Sequence, residues 1–300
     1  MLTLGRECRD PMEINVGRWL YAVTFSTDGE YILSGGWGGV RVWRVQDGKQ
    51  VAAMEGDHAL CLAVSKDGRW IAGGTDKGHV LVWDANTYEQ VFALEDYGEV
   101  NGVDFSPNSS RLVSASDNHT AIWDIATSRR VQTLHLEDRV FAAKYSPQGD
   151  RIATGTRRSV RVYDSSDGRL LVDITVDVTP WRNTGLVWFN NHLLVISDHK
   201  VKQFEASTGS AVSEWPVPGG VDKFSCIAVP KHGGLIACST KRAVTFWDMA
   251  THSQLGLIQH PQNIRSIAPP PGDPFIAIGG MDGKIIIQSL SRISVSTLSR

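Results

Sequence analysis

The sequence predicts an all-β chain folded as one closed propeller of seven blades, each a four-stranded antiparallel sheet. Three observations predict it. An aromatic residue or its substitute recurs at an even spacing, variants of the same turn residues recur along the chain, and the apolar runs between turns are only four to six residues long.

Residues 66–84 show the unit most clearly. Lys66-Asp67-Gly68 is a turn, Trp70-Ile71-Ala72-Gly73-Gly74 an apolar run, Asp76-Lys77-Gly78 a second turn, and Val80-Leu81-Val82-Trp83-Asp84 a second run. The closing position of this unit is filled along the chain by Trp43, Trp83, Trp123, Tyr163, Phe204, Trp247 and Gln288, with gaps of 40, 40, 40, 41, 43 and 41 residues. A period of about 40–45 residues with four strands per unit is the signature of propeller blades. Helical repeats of similar period are excluded, because no unit holds ten residues free of Gly, Pro and turn signals. Several runs, such as 40–43, 160–163 and 285–287, are rich in β-branched and aromatic residues and apolar at consecutive positions. That suits strands covered on both faces, as blades are by their neighbours.

These residues carry a resemblance to the WD40-repeat family of β-propellers, whose blades end in Trp-Asp. Trp83-Asp84, Trp123-Asp124 and Trp247-Asp248 are literal pairs, Tyr163-Asp164 and Phe204-Glu205 are close substitutes, and Trp43-Arg44 and Gln288-Ser289 have drifted. The family's turn before the second strand is matched by Ser26-Thr27-Asp28-Gly29, Ser65-Lys66-Asp67-Gly68, Ser106-Pro107-Asn108 and Ser146-Pro147-Gln148-Gly149. The resemblance covers about residues 18–298. The Ser-Pro turns, the decayed repeats and the length are also similar to fungal WD-repeat chains attached to signalling NTPases of the NACHT/STAND, incompatibility type.

In chain order, residues 1–17 form an N-terminal segment with an additional edge strand, and 18–298 form the propeller. The units fall at about 19–51, 59–94, 100–134, 140–176, 185–217, 224–258 and 264–298. Unit five is the most degenerate: Trp188-Phe189-Asn190-Asn191-His192 replaces the usual turn, and 178–183 lengthen its approach. In the family the outermost strand of one blade precedes the next unit, so one chain end completes the last blade. Ile14 precedes Phe25 by the same 11 residues that separate Leu94 from Phe105, so 12–16 fit that slot, and 293–298 fit it directly after unit seven. The expectation favours 293–298, with the N-terminal segment capping or fraying.

The resemblance also implies a hydrogen-bond chain of Trp, Ser or Thr, His and Asp within a blade. No unit keeps all four. Unit three has Ser114, Asp117 and Trp123 without a His in its approach, unit seven has His260 and Asp282 beside Ile278 and Gln288, and unit two has Asp76 and Trp83 with His58 and Gly73. His58 and His260 are therefore read as structural. Blade stability is expected mainly from burial of apolar strands, at about 25 cal/mol per Å².

Composition bounds the function. A 42% apolar content is ample for a core, and a formal net charge of −2 gives no basic footprint for nucleic acid or an anionic membrane. No apolar run approaches the length of a membrane span, and residues 1–10 lack the apolar core of a signal peptide, so an intracellular, cytoplasmic protein is expected. Cys8, Cys61, Cys226 and Cys238 lack metal spacing and read as small buried residues in a reducing compartment. Neither a Gly-x-Ser-x-Gly elbow nor a His-Glu-x-x-His motif occurs. Residues 279–285 look like a phosphate loop but lack Ser or Thr after Lys284 and precede a strand, so they read as a turn of blade seven. No catalytic residue, metal or cofactor is expected.

What remains is surface. In the family, partners bind around the mouth of the central channel, at the turns between second and third strands and the starts of innermost strands. Here those positions hold Trp19, Tyr21, Trp37, Arg139, Phe141, Arg157, Trp181, Arg182, Lys241 and Arg265. Aromatic and Arg side chains are the usual anchors of interfaces. Trp37 is the sharpest case, a ring between glycines where the family prefers Asp; the bland alternative is packing between blades. The expected function is a non-catalytic platform binding a protein or peptide partner, with a ligand-sensing domain of a larger signalling assembly as the alternative and a propeller enzyme as a lesser one.

Overall fold

The computed structural model describes residues 11–178, 185–217, 225–230, 234–269, 272 and 275–290. They form seven four-stranded antiparallel sheets. Blade one is Leu20–Phe25, Tyr31–Gly36, Gly39–Arg44 and Gln50–Met54; blade two is Ala59–Val64, Trp70–Thr75, His79–Asp84 and Gln90–Glu95. Blade three is Val100–Phe105, Arg111–Ser116, His119–Asp124 and Arg129–His135; blade four is Val140–Tyr145, Arg151–Thr156, Ser159–Asp164 and Leu170–Thr175. Blade five is Leu186–Phe189, His192–Ser197, Lys200–Glu205 and Ala211–Pro216; blade six is Ile227–Ala228, Leu235–Ser239, Ala243–Asp248 and Gln254–Gln259. Blade seven takes Ile264–Ala268, Phe275–Gly280 and Lys284–Ser289 from the end of the chain and Met12–Asn15 from its beginning.

The first strand of each sheet packs against the first strands of both neighbouring sheets, so these strands form the inner ring. The core is correspondingly divided. Each of seven apolar clusters straddles two adjacent blades, for example Val80, Val82 and Leu94 of blade two against Val103, Phe105 and Leu112 of blade three. This explains the consecutive apolar positions in the second and third strands, which have a neighbour on each face.

Local chemistry sets the turns. In blades one to three the Ser hydroxyl of the first turn accepts the backbone N–H five residues on and donates to the Asp or Asn two residues on, at 2.5–2.7 Å for Asp28, Asp67 and Asn108. Each Trp-Asp carboxylate folds back onto the following turn: Asp84 accepts from Asn86 and Thr87, and Asp248 from Ala250 and Thr251. These bonds hold the Asp84 and Asp248 carboxyls below the usual carboxylate range. The phosphate-like stretch is the turn between the second and third strands of blade seven.

Ring closure corrects the expectation. The N-terminal strand is the outer strand of blade seven, with Met12, Glu13, Ile14 and Asn15 paired to Ile287, Ile286, Ile285 and Lys284, and Val16 N donates to Gly283 O at 2.8 Å. The physical reason lies in its packing against blade one. Ile14 is buried in the cluster joining blades seven and one, Met12 and Val16 pack partly against that cluster, and Glu13 reaches the Lys284 ammonium at 2.6 Å. The propeller therefore begins before residue 18. Residues 293–298 lie outside the described residues.

Blade three holds a second correction. Trp123 Nε1 donates to Ser114 Oγ at 2.8 Å, Ser114 donates to Asp96, and Asp96 also binds His119 Nε2, each at 2.5 Å. All four partner types are present, with Asp and His exchanged: Asp96 sits in the approach, where His260 sits before blade seven, and His119 opens the third strand. Asp117 is not in the chain. Blade two repeats the exchange in part, with His79 Nδ1 2.9 Å from Asp57, while Gly73 leaves Trp83 without the Ser link. A Cβ at Gly73 would stand 3.1 Å from the Trp83 ring.

Candidate partner-binding face

A register shift marks the first strand of five blades. Opposite the second strand, one residue is skipped in each, leaving Tyr21, Leu60, Asn101, Phe141 and Arg265 as bulged residues. A bulge re-aims a side chain without ending the strand. Three sequence candidates, Tyr21, Phe141 and Arg265, are thus the same position in three blades. Asn101, which the sequence reading missed, is a fourth, standing 40 residues before Phe141.

Blades one and two carry an aromatic shelf beside this ring. Trp19 follows the closing strand, and Trp37 fills the turn between the second and third strands of blade one. Their ring centroids are 5.6 Å apart, and Trp37 also stacks on His58 at 5.2 Å and 22°. Both tryptophans stay about half exposed, at 56% and 50%. The glycines around Trp37 explain how the rings meet. Trp37 N donates to Trp19 O at 3.0 Å, an approach that a Cβ at Gly36 would block at 2.1 Å; a Cβ at Gly39 would meet Met54 O equally closely. Arg18 and Arg41 converge on Glu55 beneath the shelf, at 3.8 and 2.8 Å. Trp37 therefore packs against two rings while about half of its side chain stays open. His58, read as structural, is part of the shelf.

A second group joins blades three and four. Arg139 pairs with Glu99 at 2.5 Å, reaches Asn101 Oδ1 at 3.4 Å and lies 5.7 Å over the Phe141 ring. Between the two groups, Tyr97 is 69% exposed, edge-on to His119, with the Arg130 guanidinium 5.1 Å over its ring. Sequence reasoning missed Tyr97, although its place in an approach loop, like that of Trp19, was the available signal.

The remaining candidates are dispersed. Arg157 and Lys241 are exposed in the turns of blades four and six, Arg157 directly after Thr156, the register partner of Val140 beside Phe141. Arg265 differs from the other candidates at the bulged position: it is only 7% exposed. Trp181 and Arg182 lie outside the described residues.

The charges of this face are asymmetric. Approach loops and turns of blades two to four bring Glu55, Asp57, Asp76, Glu99, Glu137 and Asp138, whereas the turns of blades four and six bring Arg157, Arg158, Lys241 and Arg242. Among the described residues, no group of three His, Cys, Asp or Glu side chains gathers at metal-binding distance, and no helix is long and apolar enough to cross a membrane.

Seven four-stranded blades, their Trp-Asp turns and the bulged inner ring define a WD40-repeat β-propeller. Within that class, residues 19–289 match the family model described as the IFT122 first beta-propeller, and the chain belongs to that family. Curated relatives resemble it over shorter stretches. The small ribosomal subunit protein RACK1y of Oryza sativa subsp. japonica is 30% identical over 105 residues, 33% of this chain and 31% of that protein. The MST50-interacting protein 11 of Pyricularia oryzae is 29% identical over 124 residues, 38% of each. The WD repeat and SOCS box-containing protein 1 of Xenopus tropicalis is 37% identical over 73 residues, 24% of this chain and 17% of that protein. These matches thus span about a third or less of the relatives' length. Among solved structures, the β-propeller domain of Cps50 (Swd1) from Myceliophteria thermophila superposes with a TM-score of 0.82 over 93% of this chain and 99% of that one; at 18% identity this likeness shows the fold. Its WD40 propeller homologues suggest a protein-interaction scaffold in general.

Proposed function

We propose that this propeller acts by binding a protein or peptide partner across the mouth of its channel, with Trp19, Trp37 and His58 as the anchor, and that it supplies recognition and no catalysis. The exposed shelf carries the reading. Two half-open tryptophans held at a fixed mutual angle by backbone contacts offer large area at little entropic loss, the property of interface hot spots. The bulged Tyr21 and the Arg139–Phe141 group extend the contact towards blades three and four. Two relatives carry assembly in their printed names, one as a ribosomal subunit protein and one as an MST50-interacting protein, which supports the class of function.

The test is affinity capture from native lysate with the wild-type chain beside Trp37→Ala, Arg157→Ala and the double variant, followed by mass spectrometry and titration of the captured partner. Trp37→Ala is expected to weaken binding by about 2 kcal/mol, roughly 30-fold, with little change in melting temperature. A partner held equally by all four proteins would refute the site. A co-purifying small molecule with no protein would favour the sensing reading.

A further inference from the structure

The opposite face of the propeller carries a cleft between blades one and two that the mouth does not explain. Its volume is about 560 Å³, within the range of ligand sites. The floor is apolar, formed by Leu33, Val64 and Ile71. Two phenol rings, Tyr31 and Tyr88, line it and pack against the same apolar cluster. At the rim stand two carboxylates, Asp28 and Asp67. One oxygen of each organises its own turn: Asp28 Oδ1 holds Ser26 and Glu30 N, and Asp67 Oδ1 holds Ser65 and Arg69 N. The Asp67 carboxylate also receives the Ser109 hydroxyl, while Asp28 keeps to its own turn. The neighbouring cation is Arg69, which lies 5.3 Å over the Trp70 ring and offsets Asp67 in part.

Tyr88 is the telling residue. It occupies the left-handed position of the turn between third and fourth strands, with φ of +59°. Blades one, four and five place Gly48, Gly168 and Gly209 there, at φ of +69° to +74°. A bulky side chain is disfavoured in that conformation. The other bulky ring at this position, His252 of blade six, stacks on Trp215 at 4.3 Å and 10°. Tyr88 has no such ring partner among the described residues and lines the cleft.

We propose that this cleft is a second binding site, for a basic peptide that lays the aliphatic stem of a lysine or arginine over the apolar floor, between the two phenol rings, with its charged end at Asp28 and Asp67. Charge complementarity selects the occupant: an apolar trough ending in two carboxylates fits a cation on an apolar stem, and phenol faces attract such a cation. The volume accommodates more than one side chain. The Asn86 amide on the rim, whose side chain makes no hydrogen bond among the described residues, offers a donor and an acceptor suited to a peptide group.

The test is fluorescence anisotropy with a labelled peptide, Gly-Leu-Lys-Val-Lys-Gly, and its Glu-substituted counterpart, on the full chain. The variants are ones the fold already tolerates. Asp28→Asn and Asp67→Asn reproduce the turn that blade three builds with Asn108, and Tyr88→Gly installs the residue of blades one, four and five. The basic peptide is expected to bind and the acidic one not to, with binding at least tenfold weaker in the double Asn variant and in Tyr88→Gly. Tyr88→Gly should melt at or above the wild-type temperature, and Trp37→Ala should bind the peptide as the wild type does. Absence of binding at millimolar peptide, or equal binding by the Asn variant, would overturn the proposal. So would competition by free spermidine as effective as by unlabelled peptide. Loss of binding in Trp37→Ala would move the peptide to the mouth and overturn the second site while leaving the first intact.

Discussion

Closure of the ring by the N-terminal strand predicts that one side chain, Ile14, matters far out of proportion to its position near a chain end. It is 3% exposed and is the one fully buried side chain of a four-residue edge strand, set among Leu20, Ile285 and Ile287. Truncating a buried Ile to Ala costs about 2–5 kcal/mol, and an edge strand can relax into the space, which places Ile14→Ala near 2–3 kcal/mol. For a chain of this size about 2–3 °C of melting temperature accompanies each kcal/mol, so a fall of about 4–8 °C is expected by calorimetry. Ile14→Asp should fall further, because a carboxylate would enter the cluster unpaired. Glu13→Ala, on the outward face of the same strand, loses only an exposed ion pair with Lys284 and should shift little. Removing residues 1–11 should leave the melt unchanged. If Ile14→Ala and Ile14→Asp both melt within 1 °C of wild type, the strand does not close the ring; a fall on Ile293→Asp instead would return that role to residues 293–298.

Further predictions follow from the polar groups. Asp96→Ala should destabilise by about 3–5 kcal/mol, since its fully enclosed carboxylate binds Ser114 and His119 and lies 3.5 Å from Arg130, whereas Trp123→Phe should lose about 1–2 kcal/mol; equal effects in denaturant titration would mean that the chain is not held through Asp96. Asp84, Asp124, Asp164 and Asp248 have carboxyls lowered from the ordinary 3.8 by hydrogen bonds to the turns that follow them. Their stabilisation is complete above the unfolded value and is lost as pH falls through the lower folded values, so melting temperature should be level from pH 7 to about 5 and drop below about 4. The fourfold Asp→Asn variant should show a shallower drop.

Much of this architecture is legible in the sequence because a blade is a local unit. The spacing from Trp43 to Gln288, the Ser-x-Asp turns and the short apolar runs all lie within about 40 residues, and each states its own geometry. The misreadings fall where chemistry is long-range or symmetric. Both 12–16 and 293–298 have the right distance and composition for the closing strand, and the choice depends on packing against blade one, which no local pattern encodes. Asp96 and His119 are invisible to a positional motif because a carboxylate and an imidazole can trade places and still satisfy Ser114. His58 and Arg265 show the same limit for the mouth. A loop histidine becomes one side of a shelf only once Trp37 is placed beside it, and a bulge that leaves Phe141 partly exposed leaves Arg265 buried.

The seam and the shelf are one continuous piece of structure, and this ties the closing strand to recognition. Val16 donates to Gly283, a Cβ at Gly283 would stand 2.4 Å from Arg18 O, and the carbonyl of the next residue, Trp19, receives Trp37 N. Trp19 is therefore positioned by the strand that closes the ring, and a ring opened at blade seven loses half the shelf before any other blade is disturbed. A partner that binds only the assembled shelf must then stabilise the seam by mass action, by about 2.7 kcal/mol at a concentration 100 times its dissociation constant. That is the magnitude expected to be lost in Ile14→Ala. Saturating partner should accordingly return the melting temperature of Ile14→Ala to about that of the free wild type, while a ligand of the opposite cleft, which touches neither Trp19 nor the closing strand, stabilises both proteins by the same amount.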